Sequence, residues 1–156
     1  MSSVNDFNFL FGAWNVEHRK LQQRLAGCDT WDEFTGTSTT TPTMGGAGNV
    51  EQNNLDDPNG PYHAVALRAY DIQSSTWSIW WLDGRSPTQL DSPVVGGFVD
   101  DVGIFECQDT LETIPIVVRF TWLTTDPDHP QWEQAFSADN GTTWETNWTM
   151  RFSRND

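Results

Sequence analysis

The last predicted hairpin of the chain, residues 131–152, constrains the fold more than any other stretch. In its second run, residues 144–152, large apolar side chains alternate with polar ones, with Thr146 as the exception. Because successive side chains on a strand point to opposite faces, this alternation predicts a strand with one buried face. An Asn-Gly pair at 140–141 separates this run from an alternating one at 132–136. Such a pair favours a tight antiparallel hairpin, because both residues tolerate positive φ.

The rest of the chain repeats this pattern. About nine or ten short runs are separated by turn-forming residues every ~8–12 positions, which is typical of all-β sandwiches and barrels. No run has the spacing of a three-turn amphipathic helix, which excludes a parallel α/β sheet. The chain shows no repeat with a period of ~20–50 residues, which argues against a propeller. Consecutive hairpins favour a meander, and closing it removes the exposed edges. We therefore predict one all-β domain over residues 1–156, an antiparallel up-and-down β-barrel of about 8–10 strands.

Two short helical turns are predicted beside the strands. Residues 7–11 contain three Phe and a Leu, and they would form one N-terminal turn capped by Asn5 or Asp6. The apolar side chains of this turn would plug one opening of the barrel. Residues 21–26 contain good helix formers, and Gly27 stands where a C-cap would stand.

The charge of the chain excludes several classes of partner. Its 156 residues include 22 acidic and 8 basic side chains, for a formal net charge of −14. Such a protein repels polyanions, so nucleic acids and acidic membrane surfaces are not expected partners. The first residues have no basic region and no window approaches the ~20 apolar residues of a membrane span, so we expect a cytoplasmic protein. Cys28 and Cys107 are expected to be two buried thiols, and a single disulfide bond between them is the alternative.

Gly12 and Trp14 open the first predicted strand, directly after the apolar turn. This arrangement resembles the Gly-x-Trp signature of lipocalins and the wider calycin superfamily. In that superfamily the Trp closes one end of the barrel, and an Arg near the end of the last strand packs across it. The resemblance implies this role for Arg154, which has the strand parity of the apolar face, with Arg151 as the fallback.

Nearly the whole chain is also similar to a family of small uncharacterised bacterial calycin-like domains. Residues 11–14, 132–137 and 144–148 carry this similarity. It implies a fold and an apolar cavity, and it implies no particular reaction.

Residues 137–144 fit the Ser-x-Asp-x-Gly-x-Thr-Trp pattern of the Asp-box hairpin in sialidase propellers. Propellers contain several copies of this hairpin, and this chain contains one. The pattern predicts a turn in which Asp139 accepts backbone N–H bonds and Trp144 packs under the turn. We therefore expect a structural role here and no glycan chemistry.

His18 is the best single candidate for an acid–base or ligand-binding group inside the barrel. It shares strand parity with Trp14 and Val16, so it faces the interior if they do. An imidazole can serve either role near neutral pH. The favoured interpretation is nevertheless a satisfied interior histidine, bonded to a neighbouring carboxylate.

Neither a haem site nor a zinc site is predicted. Calycins include a haem-binding branch, which would suggest His18 or His63 as an iron ligand. The axial His of that branch lies toward the C-terminus, where this chain has only His129, in a Pro-rich loop. The His residues are too far apart in sequence for a zinc constellation. We therefore expect no metal and no cofactor.

Four charged residues on predicted strands would need partners if they faced inward. They are Arg68, Arg119, Glu133 and Glu145. A buried Arg–Glu pair would either orient a polar group of a ligand or only satisfy itself. Some calycin-like barrels use such pairs to fold or cyclise an apolar substrate. That resemblance keeps four residues as candidate catalytic groups, namely His18, Arg68, Tyr70 and Glu133.

A cluster of Trp residues would line a cavity for a planar or aromatic ligand, although ordinary core packing is the favoured interpretation. Consecutive Trp80 and Trp81 must face opposite ways, so one of them lies outside the core or at an interface. The residues predicted to contact a ligand are His18, Arg68, Trp80, Arg119, Trp122, Glu133 and Trp148.

These observations predict that the protein binds a small hydrophobic or aromatic molecule in the barrel cavity. Two alternatives stay open. One is a cofactor-independent cyclase or isomerase that acts on such a molecule in the same cavity. The other is a structural homodimer module whose barrel is filled by its own Trp and Phe side chains. A cavity containing His18 or an Arg–Glu pair would favour binding or catalysis, and a filled interior would favour the structural module.

Overall fold

Ten antiparallel strands form a closed barrel in the computed structural model of this chain, which describes residues 2–156. Each strand pairs with the next one along the chain, and the first pairs with the last, so the sheet over those residues has no edge strand. The all-β up-and-down barrel predicted from the alternating runs is confirmed. The strands are β1 (Gly12–Leu21), β2 (Trp31–Thr43), β3 (Gly48–Leu55), β4 (Tyr62–Asp71), β5 (Thr76–Asp83), β6 (Val94–Val99), β7 (Val102–Leu111), β8 (Ile114–Leu123), β9 (Gln131–Ser137) and β10 (Glu145–Arg154).

Helical structure is confined to two single 3-10 turns, Asn8–Leu10 and Met44–Gly46, within residues 2–156. Neither turn comes near the length and apolar character that a membrane-crossing helix needs.

The N-terminal turn closes one end of the barrel. Phe7 and Leu10 are buried, and the Phe7 ring packs against four aromatic rings of the strands with centroid separations between 5.0 and 6.0 Å. Those rings belong to Trp77, Phe98, Phe105 and Trp122. The apolar plug expected from residues 7–11 is therefore present. Its predicted cap is wrong, because Phe7 occupies the cap position and no side chain caps the turn.

The second helical turn, predicted for residues 21–26, does not form. β1 continues through Leu21, and the chain then runs as an irregular loop to β2. The N–H of Leu25, which a helix would turn toward its own backbone, instead donates to the Glu145 carboxylate on β10 at 2.6 Å. Leu25 also has a positive φ of 55° and packs on the core. This long-range contact overrides the local helix propensity.

Arg154 at the end of β10 holds the plug in place. Its guanidinium carbon lies 3.7 Å from the centroid of the Trp14 ring, and Trp14 is fully buried. Its two terminal nitrogens donate to the backbone carbonyls of Phe11 and Phe9 at 2.7 and 2.9 Å. This is the packing that the calycin resemblance implied for Arg154. The fallback, Arg151, is exposed on the outer face.

Replacing Arg154 by Met is expected to lower the free energy of unfolding by about 1–3 kcal/mol. The change removes two hydrogen bonds from a charged group and the cation–π contact with Trp14. Urea unfolding followed by Trp fluorescence measures the loss. Arg151→Met is the matched control and should change stability by less than about 0.5 kcal/mol, since that side chain is exposed. Equal losses in the two variants would contradict the role of Arg154.

The final hairpin departs from simple alternation at one place. A bulge between Thr146 and Trp148 shifts the register, so Trp148 and the apolar residues after it point inward while Trp144 does not. The expectation that Trp144 shares the apolar face is wrong for this reason. Its indole N–H donates to the carbonyl of Gly141 at 3.1 Å, and the Arg119 guanidinium lies 3.8 Å from its ring centroid on the outside of the barrel.

The turn of this hairpin has the structural role that the Asp-box pattern predicts. Asp139 accepts hydrogen bonds from the Thr143 hydroxyl at 2.6 Å, and from the Thr143 N–H and the Ser137 hydroxyl at 2.8 Å each. These bonds, with the Thr143 hydroxyl first, lower the pKa of Asp139 to about 2. Asn140 and Gly141 both adopt positive φ, as an Asn-Gly turn requires.

Candidate functional site

The end of the barrel opposite the plug is open and contains a two-lobed cavity, here called the mouth cavity. Its lobes have volumes of about 250 and 210 Å³. Five residues line both lobes, which shows that the lobes adjoin: Arg24, Trp81, Asp91, Phe120 and Gln134. Together the lobes reach the size range of ordinary ligand pockets, roughly 300–1,000 Å³.

Four aromatic side chains, here called the aromatic floor, form the inner wall of the mouth cavity. They are Trp81 of β5, Phe120 of β8, Trp132 of β9 and Trp148 of β10. Trp148 meets Trp81 and Trp132 edge to face at 5.6 and 5.3 Å between centroids, and Phe120 meets Trp132 in the same way at 5.0 Å. Each ring has the inward parity of its strand, so ordinary alternation on four separate strands brings the floor together.

A buried polar network lies beneath the aromatic floor, toward the plug. Arg68 donates to the Asn49 side chain at 2.9 Å and pairs with the Glu51 carboxylate, and all three residues are at most 3% exposed. The Arg68 guanidinium also lies 5.0 Å from the Phe7 ring and 5.6 Å from the Trp122 ring. The void beside this network measures only about 20 Å³. That space holds about one water molecule, so this deep layer is packed and a ligand cannot occupy it.

His18 faces the interior, as its parity predicts, and its hydrogen bond is satisfied there. Its Nδ1 accepts from the indole N–H of Trp148 at 3.1 Å, and its ring stacks on Phe34 with a centroid separation of 4.7 Å. Burial, reinforced by the charge of Lys20, lowers the pKa of His18 to about 3. The imidazole is therefore neutral near pH 7. Its partner is an indole and not the carboxylate that we expected.

Three residues predicted to contact a ligand lie on the outer surface instead. Trp80 faces outward beside Leu67 of β4, and Trp81 is the member of the pair that enters the barrel. Arg119 pairs outside with Glu106 at 2.7 Å. Glu133 lies on the outer face beside Thr121 and Thr149. The expectation of an inward charge at these positions is wrong, because the inward residues of β8 and β9 have the other parity.

Tyr70 and Trp122 lie near the plugged end of the barrel. The Tyr70 hydroxyl donates to the backbone carbonyl of Ser2 at 2.9 Å, and the buried Trp122 ring packs against Phe7. The structure therefore places Tyr70 and Arg68 toward the plug, whereas it places His18 beside Trp148 of the aromatic floor. It does not bring the predicted catalytic residues together around one space.

The rim of the mouth cavity contains three basic side chains that were not predicted as site residues: Lys20, Arg24 and Arg85. Lys20 donates to the Tyr62 hydroxyl at 3.0 Å, and its Nζ lies 4.3 Å from the centroid of the Trp148 ring. The inward position of Lys20 could have been predicted, because Lys20 shares the strand parity of His18. Arg24 and Arg85 lie outside the strands, where alternation gives no orientation.

The electrostatics of the rim follow from burial and from crowding of like charges. Burial lowers the pKa of Lys20, and the nearby Arg24 lowers it further. Burial also lowers the pKa of Arg24 itself. The pKa of Tyr62 is raised to about 12, again chiefly by burial. The Arg85 guanidinium stacks 3.7 Å from the Tyr62 ring centroid and pairs with Asp83 at 2.8 Å.

The two cysteines are unbridged and half-buried. Cys107 lines the second lobe of the mouth cavity, and burial raises the pKa of its thiol to about 11. It is therefore a protonated thiol near pH 7. Among residues 2–156, no three His, Cys, Asp or Glu side chains group closely enough to hold a metal ion.

Comparison with known proteins identifies the fold and no family. No protein-family model matches the chain, and no curated protein sequence matches it. Among solved structures, the S-type phycobiliprotein lyase CPES from Guillardia theta is similar over 100% of this chain and 94% of its own, with a TM-score of 0.63 and 12% identity. This likeness shows a shared fold, and it supports the calycin-like barrel that the Gly-x-Trp resemblance implied.

Proposed function

We propose that the protein binds a small hydrophobic, aromatic molecule in the mouth cavity. The observation that carries this proposal is the open, two-lobed cavity above the aromatic floor. Flat apolar ligands gain most by burial against such rings, and edge-to-face contacts leave ring faces of the floor available for stacking. The phycobiliprotein lyase shares this barrel, and its name is consistent with a small-molecule role for such a fold.

Binding is favoured over the two alternatives by particular contacts. The structural-module alternative requires a barrel filled by its own side chains. Only the plugged half is filled in this way, where the phenylalanines of the plug pack on Trp77 and Trp122. The cyclase or isomerase alternative was predicted to use residues such as His18 and Glu133 as its acid or base. His18 is neutral and already bonded to Trp148, and Glu133 lies outside. These placements support a binding protein.

Pyrenebutanol, a neutral fluorescent aromatic, tests the proposal, because its emission changes when it leaves water. The protein is expected to bind it with micromolar affinity. Trp81→Ala should weaken binding about tenfold, since losing a buried ring contact worth ~1.4 kcal/mol changes Kd by that factor. Trp80→Ala is the matched control, the same substitution on the adjacent residue of the outer face.

The two variants should differ in affinity while both remain folded in thermal unfolding. Equal effects of Trp80→Ala and Trp81→Ala, or no binding by the natural chain, would overturn the proposal. Native mass spectrometry of the purified protein, compared with the denatured spectrum, would identify a ligand that is carried through purification.

A further inference from the structure

Most basic residues of this chain have partners or lie exposed on the outer face, and Arg24 at the rim of the mouth cavity is the exception. Five of the eight form ion pairs with carboxylates: Arg19, Lys20, Arg68, Arg85 and Arg119. Arg154 donates to two carbonyls, and Arg151 is exposed on the outer face. Arg24 is half-buried, and across residues 2–156 it has neither a carboxylate within 4 Å nor a hydrogen bond.

Arg24 is held at the mouth cavity by its loop. The Glu145 carboxylate, the one acidic group of β10, accepts a hydrogen bond from the neighbouring Leu25 N–H at 2.6 Å. That bond docks the loop against the barrel. The Arg24 guanidinium then lies 5.2 Å from the centroid of the Phe136 ring and lines both lobes of the cavity.

We infer that the natural ligand is an aromatic carboxylate and that Arg24 binds its carboxylate group. The inference rests on the proposed function and adds the chemical class of the ligand. A guanidinium presents parallel N–H donors that match a carboxylate in two-point geometry. A partly desolvated guanidinium without a partner is costly in the free protein, and a ligand anion removes that cost. The ring system of the ligand then packs on Trp81 and Phe120 of the aromatic floor.

Acidic side chains limit where the anion can lie. Asp83 is neutralised by Arg85, and Asp57 lies 3.7 Å from Lys20. Asp91 lines both lobes without a basic partner among the described residues, and burial, together with Asp109 and Asp83, raises its pKa. The carboxylate of the ligand therefore belongs beside Arg24 and away from Asp91.

The test compares pyrenebutyrate with pyrenebutanol, two probes that differ in the carboxylate alone. Arg24→Gln is expected to weaken pyrenebutyrate about tenfold and to change pyrenebutanol less than about twofold. Arg151→Gln makes the same change in net charge on the exposed outer face, so it should leave both affinities unchanged. Arg24→Lys keeps the charge without the planar fork, and it should recover part of the pyrenebutyrate affinity.

The outcomes separate this inference from the proposed function. Equal weakening of both probes by Arg24→Gln, or no weakening of either, would overturn the role of Arg24 while pyrenebutanol binding survives. Failure of the natural chain to bind pyrenebutyrate would overturn it as well. Failure to bind pyrenebutanol would instead overturn the proposed function. Thermal unfolding of each variant shows that the losses come from the site.

Discussion

Replacing Glu51 by Leu is expected to lower the free energy of unfolding by about 3–5 kcal/mol, because it leaves the Arg68 guanidinium charged and unpaired in the core. Both residues are 3% exposed, and Arg68 keeps only Asn49 as a hydrogen-bond partner once Glu51 is gone. Urea unfolding followed by Trp fluorescence measures the loss.

A second variant separates loss of the pair from loss of volume. The double replacement Glu51→Leu with Arg68→Met removes both charges and keeps apolar bulk, so it should regain most of the stability lost in the single variant. Glu106→Leu breaks the half-exposed Arg119–Glu106 pair and should cost no more than about 1 kcal/mol. If the double variant were as unstable as Glu51→Leu, the unpaired charge would not be the cause.

The second large effect is the loss of stability at low pH that His18 causes. The pKa of His18 is about 3 in the folded protein and 6.5 when the side chain is exposed in the unfolded chain. Between these two pH values the unfolded chain binds a proton at His18 and the folded protein does not. His18 therefore costs no stability above about pH 6.5, and its cost grows as the pH falls toward 3. At pH 4 the cost is expected to be roughly 3 kcal/mol, since each pKa unit between 6.5 and 4 is worth about 1.4 kcal/mol.

His18→Gln isolates this contribution, because Gln does not titrate and its carbonyl can still accept the Trp148 N–H. Near pH 7.5 the variant should be less stable than the natural chain by about 1–2 kcal/mol, having lost the stack on Phe34. At pH 4 the order should reverse, since the roughly 3 kcal/mol that the natural chain loses exceeds the ~1–2 kcal/mol lost by the variant. His63→Gln is the control, since it makes the same substitution at an exposed position of β4. Parallel profiles for His18→Gln and the natural chain would contradict the prediction.

The strand order and the contents of the plug could be predicted because they depend on local signals. Alternation within β10 indicates which face is apolar, and an Asn-Gly pair indicates where the chain reverses. The pairing of Trp14 with Arg154 was available from a family resemblance and the parity of one strand. Apart from that pairing, the relevant residues are neighbours in sequence or are related by a two-residue period.

The candidate site could be predicted only in part, because its features depend on distant contacts. Alternation shows that Trp80 and Trp81 point apart, but only closure of the barrel shows that Trp81 is inside. Arg24 belongs to a loop whose conformation is decided by a hydrogen bond to Glu145, and no local pattern encodes that bond.

The sequence by itself determined an all-β barrel, its apolar plug and its hairpin turn, because side-chain period and turn chemistry act over a few residues. Only the tertiary structure decided which face lines the lumen, that Arg68 and Glu51 satisfy each other, and that the open end contains an unpaired Arg24 above the aromatic floor. Burial and charge pairing are properties of the closed barrel, in which residues far apart along the chain share one low-dielectric space.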